Sequence, residues 1–307
     1  MGKIYDIIII GGGPAGYTSA LYGARAGLEV LLIEKFYAGG QMATTENIEN
    51  YPGFDMGIDG FELAQKMKTQ AEKFGVKTEL NEVKSVELNE KIKKVTTSNG
   101  EHLTKTVIIA TGASPRELGV TGEEKFKGRG VHYCASCDGM FYKGKTVIVV
   151  GGGDTAVSDA LLLSRVANKV ILVHRRDTLK ATKVYHEALF NAKNVTFYWD
   201  SVVKEIIGKN SLEGMVVENV KTKETSNILA DGVFVSIGRI PSTELVKNQL
   251  NLDDSGYIIA TENTMTNKDG VFAVGDVRTK PLRQVVTAVG DGANAVYYAE
   301  NYINSEN

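Results

Sequence analysis

The sequence predicts an α/β protein in which two Rossmann-like units share one chain of 307 residues. The first observation is that short runs rich in Ile and Val end in glycine turns and alternate with helical patterns, which favours parallel sheets flanked by helices. The second is an internal echo, because residues 7–16 (IIIIGGGPAG) resemble residues 147–156 (VIVVGGGDTA). Two such copies predict two dinucleotide-binding folds, each beginning at its own glycine turn.

Several apolar runs have the length and composition of buried strands. They are residues 6–10, 106–110, 146–150, 232–237 and 271–274. Residues 29–34 and 169–174 occupy the second-strand position of each copy. The pattern over 61–74 predicts a helix that Asp59 and Glu62 cap. A last helix is predicted to face the core with Val285, Val286, Val289, Ala293 and Val296.

Composition excludes several classes of protein. The chain carries 35 basic and 37 acidic residues, for a net charge of −2, so it has no overall basic field to hold nucleic acid or an anionic membrane surface. The apolar runs are far shorter than the about 20 residues of a membrane-spanning helix. The first residues run into a strand without the pattern of a secretory signal. We therefore expect a soluble, cytoplasmic protein.

The first glycine turn has the spacing of a dinucleotide-binding fingerprint, in which glycines let the backbone approach a pyrophosphate at the start of a helix. It comprises Gly11, Gly13, Pro14, Ala15 and Gly16. Glu34 follows at the offset of about 20 residues where an acidic side chain bonds a ribose hydroxyl. This site suits an adenine dinucleotide without a 2′-phosphate.

The second glycine turn carries the opposite charge at the corresponding offset. It comprises Gly151, Gly153, Asp154, Thr155 and Ala156. His174, Arg175 and Arg176 stand where the first copy has Glu34, and Lys180 follows. Guanidinium groups match phosphate oxygens that an acid would repel, so this site is predicted to prefer NADPH to NADH. A ligand-free turn and a solvated basic patch are the alternatives.

The cysteine content points to redox chemistry. Only two cysteines occur, Cys134 and Cys137, and a close pair in a reducing compartment favours redox or metal chemistry over a structural disulfide. The C-x-x-C spacing lets the thiols form and break a disulfide. Asp138 follows directly and is predicted to give or take a proton. The alternatives are a metal site that adds His132, one ligand short of structural zinc, and two unreactive buried thiols.

With these residues, the chain resembles the low-molecular-weight, bacterial-type thioredoxin reductases over nearly its whole length. The matching segments are residues 11–16, 39–41, 48–54, 134–139, 151–156, 275–278 and 282–286. The resemblance implies that an NADPH-binding domain with the cysteines, 115–241, is inserted into a discontinuous FAD-binding domain formed by 1–114 and 242–307. The chain departs from the family at Lys180, where Arg is usual, and at Asp159, where Glu is more frequent.

The resemblance also implies cofactor contacts and partners. Besides the first turn and Glu34, FAD is expected to contact Gly40, Gln41, Asn50, Gly275, Asp276, Arg283, Gln284 and Val285. Electrons are expected to pass from NADPH through FAD to the disulfide at Cys137, after which Cys134 attacks oxidised thioredoxin. A homodimer is implied as well. The alternatives are a related FAD disulfide reductase with another donor, such as NADH or ferredoxin, or another thioredoxin-like acceptor, and a non-catalytic FAD- or zinc-binding protein.

Overall fold

The computed structural model describes residues 3–45 and 47–305, and the chain divides into two units. Unit 1 contains the residues up to Ser114 and those from Ile240 onward, whereas unit 2 is Pro115–Arg239. The second division lies close to the predicted boundary after residue 241. The assignment of each unit to a cofactor stays a prediction.

Unit 1 is built around a mixed sheet flanked by helices. In chain order its first part contains β1 (Ile4–Ile10), α1 (Pro14–Arg25), β2 (Val30–Glu34), α2 (Gly60–Lys73), β3 (Lys77–Leu80), β4 (Val83–Glu87), β5 (Lys93–Thr97), β6 (Gly100–Ile109) and β7 (Ala113–Pro115). The sheet order is β3-β2-β1-β6-β5-β4. Strands β3, β2, β1 and β6 are parallel, and β5 and β4 extend the sheet as an antiparallel ribbon.

Unit 2 contains a parallel sheet and an antiparallel one. Its elements are α3 (Glu123–Phe126), β8 (Val131–His132), α4 (Ala135–Asp138), β9 (Thr146–Val150), α5 (Asp154–Ser164), β10 (Lys169–Val173), α6 (His186–Asn191), β11 (Val195–Tyr198), β12 (Ser201–Gly208), β13 (Leu212–Asn219), β14 (Thr225–Leu229) and β15 (Gly232–Val235). The parallel sheet has the order β11-β10-β9-β15-β8, and β12-β13-β14 forms the antiparallel sheet.

The last part of the chain completes unit 1. Its elements are β16 (Arg239–Pro241), β17 (Val271–Ala273) and the long helix α7 (Val285–Ser305). Strand β17 pairs in parallel with β6, and β16 pairs with β7 in a two-stranded sheet. Within the described residues, none of the helices combines the length and the hydropathy needed to cross a bilayer.

The apolar strands are buried on both faces, which explains why their sequences do not alternate. In β1, Ile7 and Ile9 pack into one hydrophobic cluster, whereas Ile8 and Ile10 pack into another. In β9, Val147 and Val149 face a different cluster from Ile148 and Val150. Both glycine turns therefore follow strands that are fixed from two sides.

The predicted helix over 61–74 is confirmed as α2, and its cap is present. The side chain of Asp59 accepts a hydrogen bond from Glu62 N at 2.8 Å. The predicted core face of the last helix is wrong in part, because Val286 is 43% exposed. The buried residues of α7 are Ala288, Asp291, Gly292, Ala295, Val296, Ala299 and Ile303. The prediction rested on the larger apolar side chains, whereas the buried face consists mainly of small residues and one acid.

Candidate functional site

The first glycine turn joins β1 to α1 with backbone contacts that require glycine. Gly11 has a φ of +111°, and a Cβ on it would lie 2.4 Å from the Ala110 carbonyl oxygen. A Cβ on Gly16 would lie 1.9 Å from the Gly11 carbonyl oxygen. The N-cap residue is Gly13, where a Cβ would enter open space. The amide groups at the start of α1 therefore border a space that an anion can enter.

Glu34 ends β2 beside this turn. Its Oε2 accepts a hydrogen bond from Gly12 N at 2.6 Å, and its Oε1 accepts one from Phe36 N at 3.0 Å. A carboxylate has further lone pairs, so the group held here can still accept from a ribose hydroxyl. The position agrees with the sequence expectation, while the ribose contact stays a prediction.

Two other segments with expected FAD contacts border the first turn. Gly40 and Gln41 lie in a 3-10 turn, and a Cβ on Gly40 would lie 3.7 Å from the Gly13 Cα. A Cβ on Gly275 would lie 3.1 Å from the Ala15 Cβ. Residues from both ends of the sequence thus meet at the start of α1.

The remaining expected FAD residues of unit 1 contact one another. Asn50 Nδ2 donates to Gln284 Oε1 at 3.0 Å across 234 positions of sequence. Arg283 Nε lies 3.5 Å from the Asp276 carbonyl oxygen. Val285 packs against a buried cluster of Met42, Ile48, Ile58, Leu63 and Ala64. The cluster connects the start of α7 with the segment that follows the Gly40 turn.

A buried ion cluster holds the Gly275–Asp276 turn, and sequence reasoning missed it. Asp291 Oδ2 accepts from Gly275 N at 2.8 Å and from Lys280 Nζ at 2.8 Å. Arg278 donates to both carboxylate oxygens, with Nε at 2.9 Å and Nη2 at 2.8 Å. Burial raises the pKa of Asp291, but the hydrogen bonds from Arg278 and Lys280 outweigh it and hold the pKa below its ordinary value. The sequence signal that could have indicated this cluster is Asp291 itself, an acidic residue within the largely apolar helix α7.

The second glycine turn repeats this geometry between β9 and α5. Gly151 has a φ of +149°, and a Cβ on it would lie 2.3 Å from the Ser236 carbonyl oxygen. Gly153 is the N-cap residue, and a Cβ there would enter open space. A Cβ on Gly152 would lie 2.3 Å from the His174 ring. An imidazole therefore packs on the second turn where a carboxylate contacts the first.

The first turn of α5 carries an acid, unlike that of α1. Asp154 Oδ1 accepts a hydrogen bond from Thr182 N at 2.7 Å, and this bond lowers the pKa of Asp154. Thr155 is exposed, and Ala156 is buried. The backbone N of Lys180 donates to the glycine turn at 2.8 Å. Together with the bond from Ala181 N to the Gly152 carbonyl oxygen, three hydrogen bonds tie residues 180–182 to the second turn and the start of α5.

The basic cluster divides into a buried imidazole and exposed cations. The His174 side chain is 8% exposed, whereas Arg175, Arg176 and Lys180 are exposed. Burial lowers the pKa of His174, and the charges of Arg175 and Arg176 lower it further. The hydrogen bond between His174 Nε2 and the Thr178 carbonyl oxygen, 3.1 Å long, opposes this effect. The ring packs as a largely apolar surface, and the cations remain available to an anion.

Asp159, a half-buried carboxyl of α5 near the second turn, is a further residue whose role the sequence left unassigned. Ser236 Oγ donates to Asp159 Oδ2 at 2.5 Å. Burial raises the pKa of Asp159, and the hydrogen bond from Ser236 and the charge of Arg239 only partly oppose it. Asp159 lies in α5, and Ser236 follows β15, 77 positions later in the sequence. Spacing along the chain therefore did not pair them.

Cys134 and Cys137 form a disulfide at the start of α4, with their Cα atoms 5.3 Å apart. The two cysteines and Asp138 are half-buried. Asp138 Oδ2 lies 3.0 Å from His132 Nδ1, and the other ring nitrogen, Nε2, lies 2.7 Å from the Tyr142 hydroxyl. The C-x-x-C pair therefore has the form of a redox disulfide, with a carboxylate in the same short helix.

The metal-site alternative does not match this arrangement. Both sulfur atoms are joined to each other, and both ring nitrogens of His132 have partners in Asp138 and Tyr142. Across residues 3–45 and 47–305, no group of three or more His, Cys, Asp and Glu side chains is placed to hold a metal ion. The geometry favours disulfide chemistry over zinc binding.

Both glycine turns fit the pyrophosphate of a dinucleotide. Each offers backbone amides at the start of a helix of at least 11 residues, a glycine N-cap and open space above it. The side chains at the reading positions then separate the two sites, with Glu34 at one and Arg175 and Arg176 at the other. The residues present therefore fit FAD at the first turn and a pyridine nucleotide at the second.

Comparisons with known proteins identify the family of the chain. A model of the pyridine nucleotide-disulphide oxidoreductase family matches residues 5–292. The chain is 47% identical over 303 residues to a thioredoxin reductase of Listeria monocytogenes, covering 98% of this chain and 94% of that protein. A thioredoxin reductase of Peptoclostridium acidaminophilum is 45% identical over 309 residues, covering 99% and 98% of the two chains.

Solved structures give the same result. The crystal structure of thioredoxin reductase from Streptococcus pyogenes superposes with a TM-score of 0.92 at 48% identity, covering 98% of this chain and 99% of the other. Sequence, fold and the position of the disulfide therefore lead to one family. The chain belongs to the pyridine nucleotide-disulphide oxidoreductases and, among them, to the thioredoxin reductases.

Proposed function

We propose that the chain is an NADPH-dependent thioredoxin-disulfide reductase that uses FAD. The observation that carries the proposal is the reversal of charge between two nucleotide turns in a chain that also forms the Cys134–Cys137 disulfide. Two different dinucleotides supply an electron donor and a relay, and the disulfide supplies the exit. Membership of the thioredoxin reductases supports thioredoxin as the protein partner.

FAD would be held by unit 1. The proposed contacts are Gly11, Gly13, Pro14, Ala15, Gly16, Glu34, Gly40, Gln41, Asn50, Gly275, Asp276, Arg283, Gln284 and Val285. When bound, the flavin supplies the two-electron chemistry between nicotinamide and disulfide. The protein's part is to neutralise the pyrophosphate at α1, to bond the ribose through Glu34, and to keep the Gly275–Asp276 turn in place through the Asp291 cluster.

NADPH would be held by unit 2. The proposed contacts are Gly151, Gly153, Asp154, Thr155, His174, Arg175, Arg176 and Lys180. The exposed guanidinium groups can bond the 2′-phosphate in a planar fork, whereas Lys180 adds a point charge. The neutral His174 ring offers an apolar surface beside the glycine turn.

The exchange with thioredoxin needs only groups of this chain and its partner. Reduced Cys134 attacks the thioredoxin disulfide, so one S–S bond forms while another breaks. Cys137 then attacks the mixed disulfide and releases thioredoxin as a dithiol. Two electrons leave the enzyme, and the two protons of its dithiol end on the two thioredoxin thiols. Asp138 is proposed to carry a proton during this exchange.

The disulfide role is tested by Cys137→Ser and Cys134→Ser in the FAD-bound protein. Both variants should take up FAD and be reduced by NADPH, yet neither should reduce thioredoxin, because each lacks one of the two sulfurs. Ser136→Ala, in the same loop, is the matched control and should keep thioredoxin reduction. Thioredoxin reduction by either cysteine variant at the wild-type rate would overturn the assignment.

The donor is tested with the same assay. NADH or ferredoxin in place of NADPH separates the proposed donor from those of related FAD disulfide reductases, and a glutaredoxin-like protein in place of thioredoxin tests the acceptor. A homodimer stays a prediction from the family resemblance, and a cytoplasmic location stays a prediction from the sequence. If the wild-type protein turned over with NADH and not with NADPH, the assignment as a disulfide reductase would stand and the assignment of NADPH as the donor would be wrong.

A further inference from the structure

A buried histidine lies behind the redox loop and connects its carboxylate to a tyrosine. His132 ends β8 and is 8% exposed. Its Nδ1 lies 3.0 Å from Asp138 Oδ2, and its Nε2 lies 2.7 Å from the Tyr142 hydroxyl oxygen. The three side chains therefore form one hydrogen-bonded chain that ends at the residue proposed to carry the proton.

The imidazole is held by two ring contacts and by partners at both nitrogens. Its ring stacks on Phe234 of β15 at 5.3 Å between centroids and meets the Tyr142 ring edge to face at 5.3 Å. His132 and Phe234 are paired in register between β8 and β15. A Cβ on Gly232 would lie 2.3 Å from the Tyr142 ring, so a glycine makes room for the tyrosine. A sheet position, not a loop, thus orients the partner of Asp138.

The direction of the hydrogen bonds follows from the chemistry of the three groups. An ionised carboxylate only accepts, so His132 Nδ1 carries the proton toward Asp138. In the neutral ring, Nε2 then accepts, and the Tyr142 hydroxyl donates to it. Burial raises the pKa of Tyr142 to about 12, and the charges of Asp138 and Asp231 contribute. The hydroxyl therefore stays protonated, and the chain runs from Tyr142 through His132 to Asp138.

We propose that His132 is a positioning residue for Asp138 in the exchange between the Cys134–Cys137 dithiol and thioredoxin, with Tyr142 fixing the tautomer of its ring. The proposal rests on the proposed function. In the exchange, the dithiol is oxidised to the disulfide, thioredoxin is reduced, and protons move from enzyme sulfur to thioredoxin sulfur. His132 keeps the carboxylate in one orientation, because its Nδ1 lies 3.0 Å from Asp138 Oδ2 on a buried ring that is itself held by Tyr142 and Phe234.

Other charged groups act on the same chain and set the controls. Asp231 raises the pKa of Tyr142 through its charge, and its carboxylate accepts from Thr146 N at 2.8 Å. Lys145 Nζ lies 5.3 Å from the centroid of the Tyr142 ring. Lys145→Gln removes this charge while leaving the three hydrogen-bonded groups unchanged. It is the variant in which a merely electrostatic effect on the region would appear.

Two substitutions of His132 separate its nitrogens. The amide nitrogen of Asn occupies a place close to Nδ1, whereas that of Gln reaches a place close to Nε2. His132→Asn should therefore keep the donor to Asp138, and His132→Gln should lose it while keeping the contact with Tyr142. The kcat/KM for thioredoxin should fall by roughly 10- to 100-fold in His132→Gln, against about 10²–10⁴-fold for a whole acid–base group. In His132→Asn it should fall by less than about 3-fold.

The pH dependence gives a readout that a structural role would not move. Loss of the Nδ1 donor should shift the acidic limb of the pH profile of kcat/KM for thioredoxin to higher pH in His132→Gln, but not in His132→Asn or Lys145→Gln. Tyr142→Phe keeps the stacked rings and removes the hydroxyl, so it should give a smaller shift in the same direction. NADPH-dependent reduction of ferricyanide, which does not need the disulfide, should stay within about 2-fold of wild type in every variant.

The outcomes are distinguishable. Equal kcat/KM and equal pH profiles in His132→Asn and His132→Gln would overturn the role of His132, whether both are normal or both are lowered. A wild-type pH profile of kcat/KM for thioredoxin in Asp138→Asn would overturn the role of His132 as well, because this variant has no carboxylate to be positioned. Failure of the wild-type protein to reduce thioredoxin with any donor would instead overturn the proposed function.

Discussion

The first and second glycine turns begin their helices in the same way, at Gly13 and Gly153, but opposite charges lie beside them. Glu34 places a carboxylate on the first turn through a 2.6 Å bond to Gly12 N. His174 places an uncharged ring on the second, next to the exposed Arg175. The comparison teaches that two turns with the same backbone geometry can differ in charge through the residue that ends the second strand, and we propose that this difference selects the dinucleotide at each turn.

The two units also differ in the environment of an acidic side chain that lies near the cofactor turn. Asp291 of unit 1 is surrounded by Arg278 and Lys280, which keep its pKa below the ordinary value. Asp159 of unit 2 bonds Ser236, and burial raises its pKa. A buried ion cluster therefore holds the Gly275–Asp276 turn in one unit, whereas a carboxyl whose charge is disfavoured by burial lies near the second turn in the other.

The largest effect is expected from replacing Asp291 and Asp159, one at a time, with the neutral Asn. Asp291→Asn leaves Arg278 and Lys280 buried without a counter-ion, which should cost about 3–5 kcal/mol in the free energy of unfolding. Asp159→Asn, the matched control, should cost less than about 1 kcal/mol, since no cation is left without a hydrogen-bonded counter-ion and burial already disfavours the charge of this carboxyl. Urea unfolding followed by far-UV circular dichroism, which reports on both units, measures both losses. Equal losses would show that charge does not distinguish the two sites.

The next effect concerns the last position of each turn. A Cβ on Gly16 would lie 1.9 Å from the Gly11 carbonyl oxygen, whereas Ala156 already carries a Cβ at the same place in the second turn. Gly16→Ala should cost about 1–3 kcal/mol or more and yield protein with little FAD. Ala156→Gly should cost about 1 kcal/mol and leave the FAD content unchanged. Full flavin occupancy in Gly16→Ala would contradict the close contact.

A smaller effect is expected from the phosphate-reading arginines. Arg175→Ala combined with Arg176→Ala removes two cations that only a 2′-phosphate uses, so the KM for NADPH should rise by roughly 10- to 100-fold. The KM for NADH should change by less than about 2-fold. Arg165→Ala, which removes one cation at the other end of α5, is the control for a general loss of positive charge. A parallel rise for both nucleotides would mean that the arginines do not distinguish them.

The smallest effect is a pH dependence confined to the second unit. Because burial lowers the pKa of His174, the unfolded chain, with a pKa of about 6.5, binds this proton more readily than the folded one. Stability that is present above about pH 6.5 is therefore lost as the pH falls through that value. His174→Gln keeps a donor for the Thr178 carbonyl without titrating. Identical slopes of stability against pH in the two proteins would contradict the assignment.

Sequence reasoning recovered the features that local patterns encode. The glycine turns, the acid after β2 and the basic cluster after β10 follow from spacing along one βαβ unit, so a single sequence is sufficient. The C-x-x-C pair is a local pattern as well, and its disulfide is present. The cap of α2 by Asp59 has the same origin.

The features that were missed depend on residues brought together by packing. Asp291 meets Gly275 across a helix and a turn, and Asp159 meets Ser236 across 77 positions. The stacking of His132 on Phe234 requires the pairing of β8 with β15. The buried face of α7 was predicted partly at the wrong positions, because it consists mainly of Ala and Gly, which carry little hydrophobic signal.

The central claim is that electrons enter through NADPH at the second turn, pass to FAD at the first and leave through the disulfide. Anaerobic titration of the purified yellow protein with NADPH and, separately, NADH tests it most directly, followed by addition of oxidised thioredoxin. The account predicts that NADPH bleaches the flavin absorbance much faster than NADH and that thioredoxin restores it. Bleaching by NADH alone, or absorbance that thioredoxin does not restore, would contradict it.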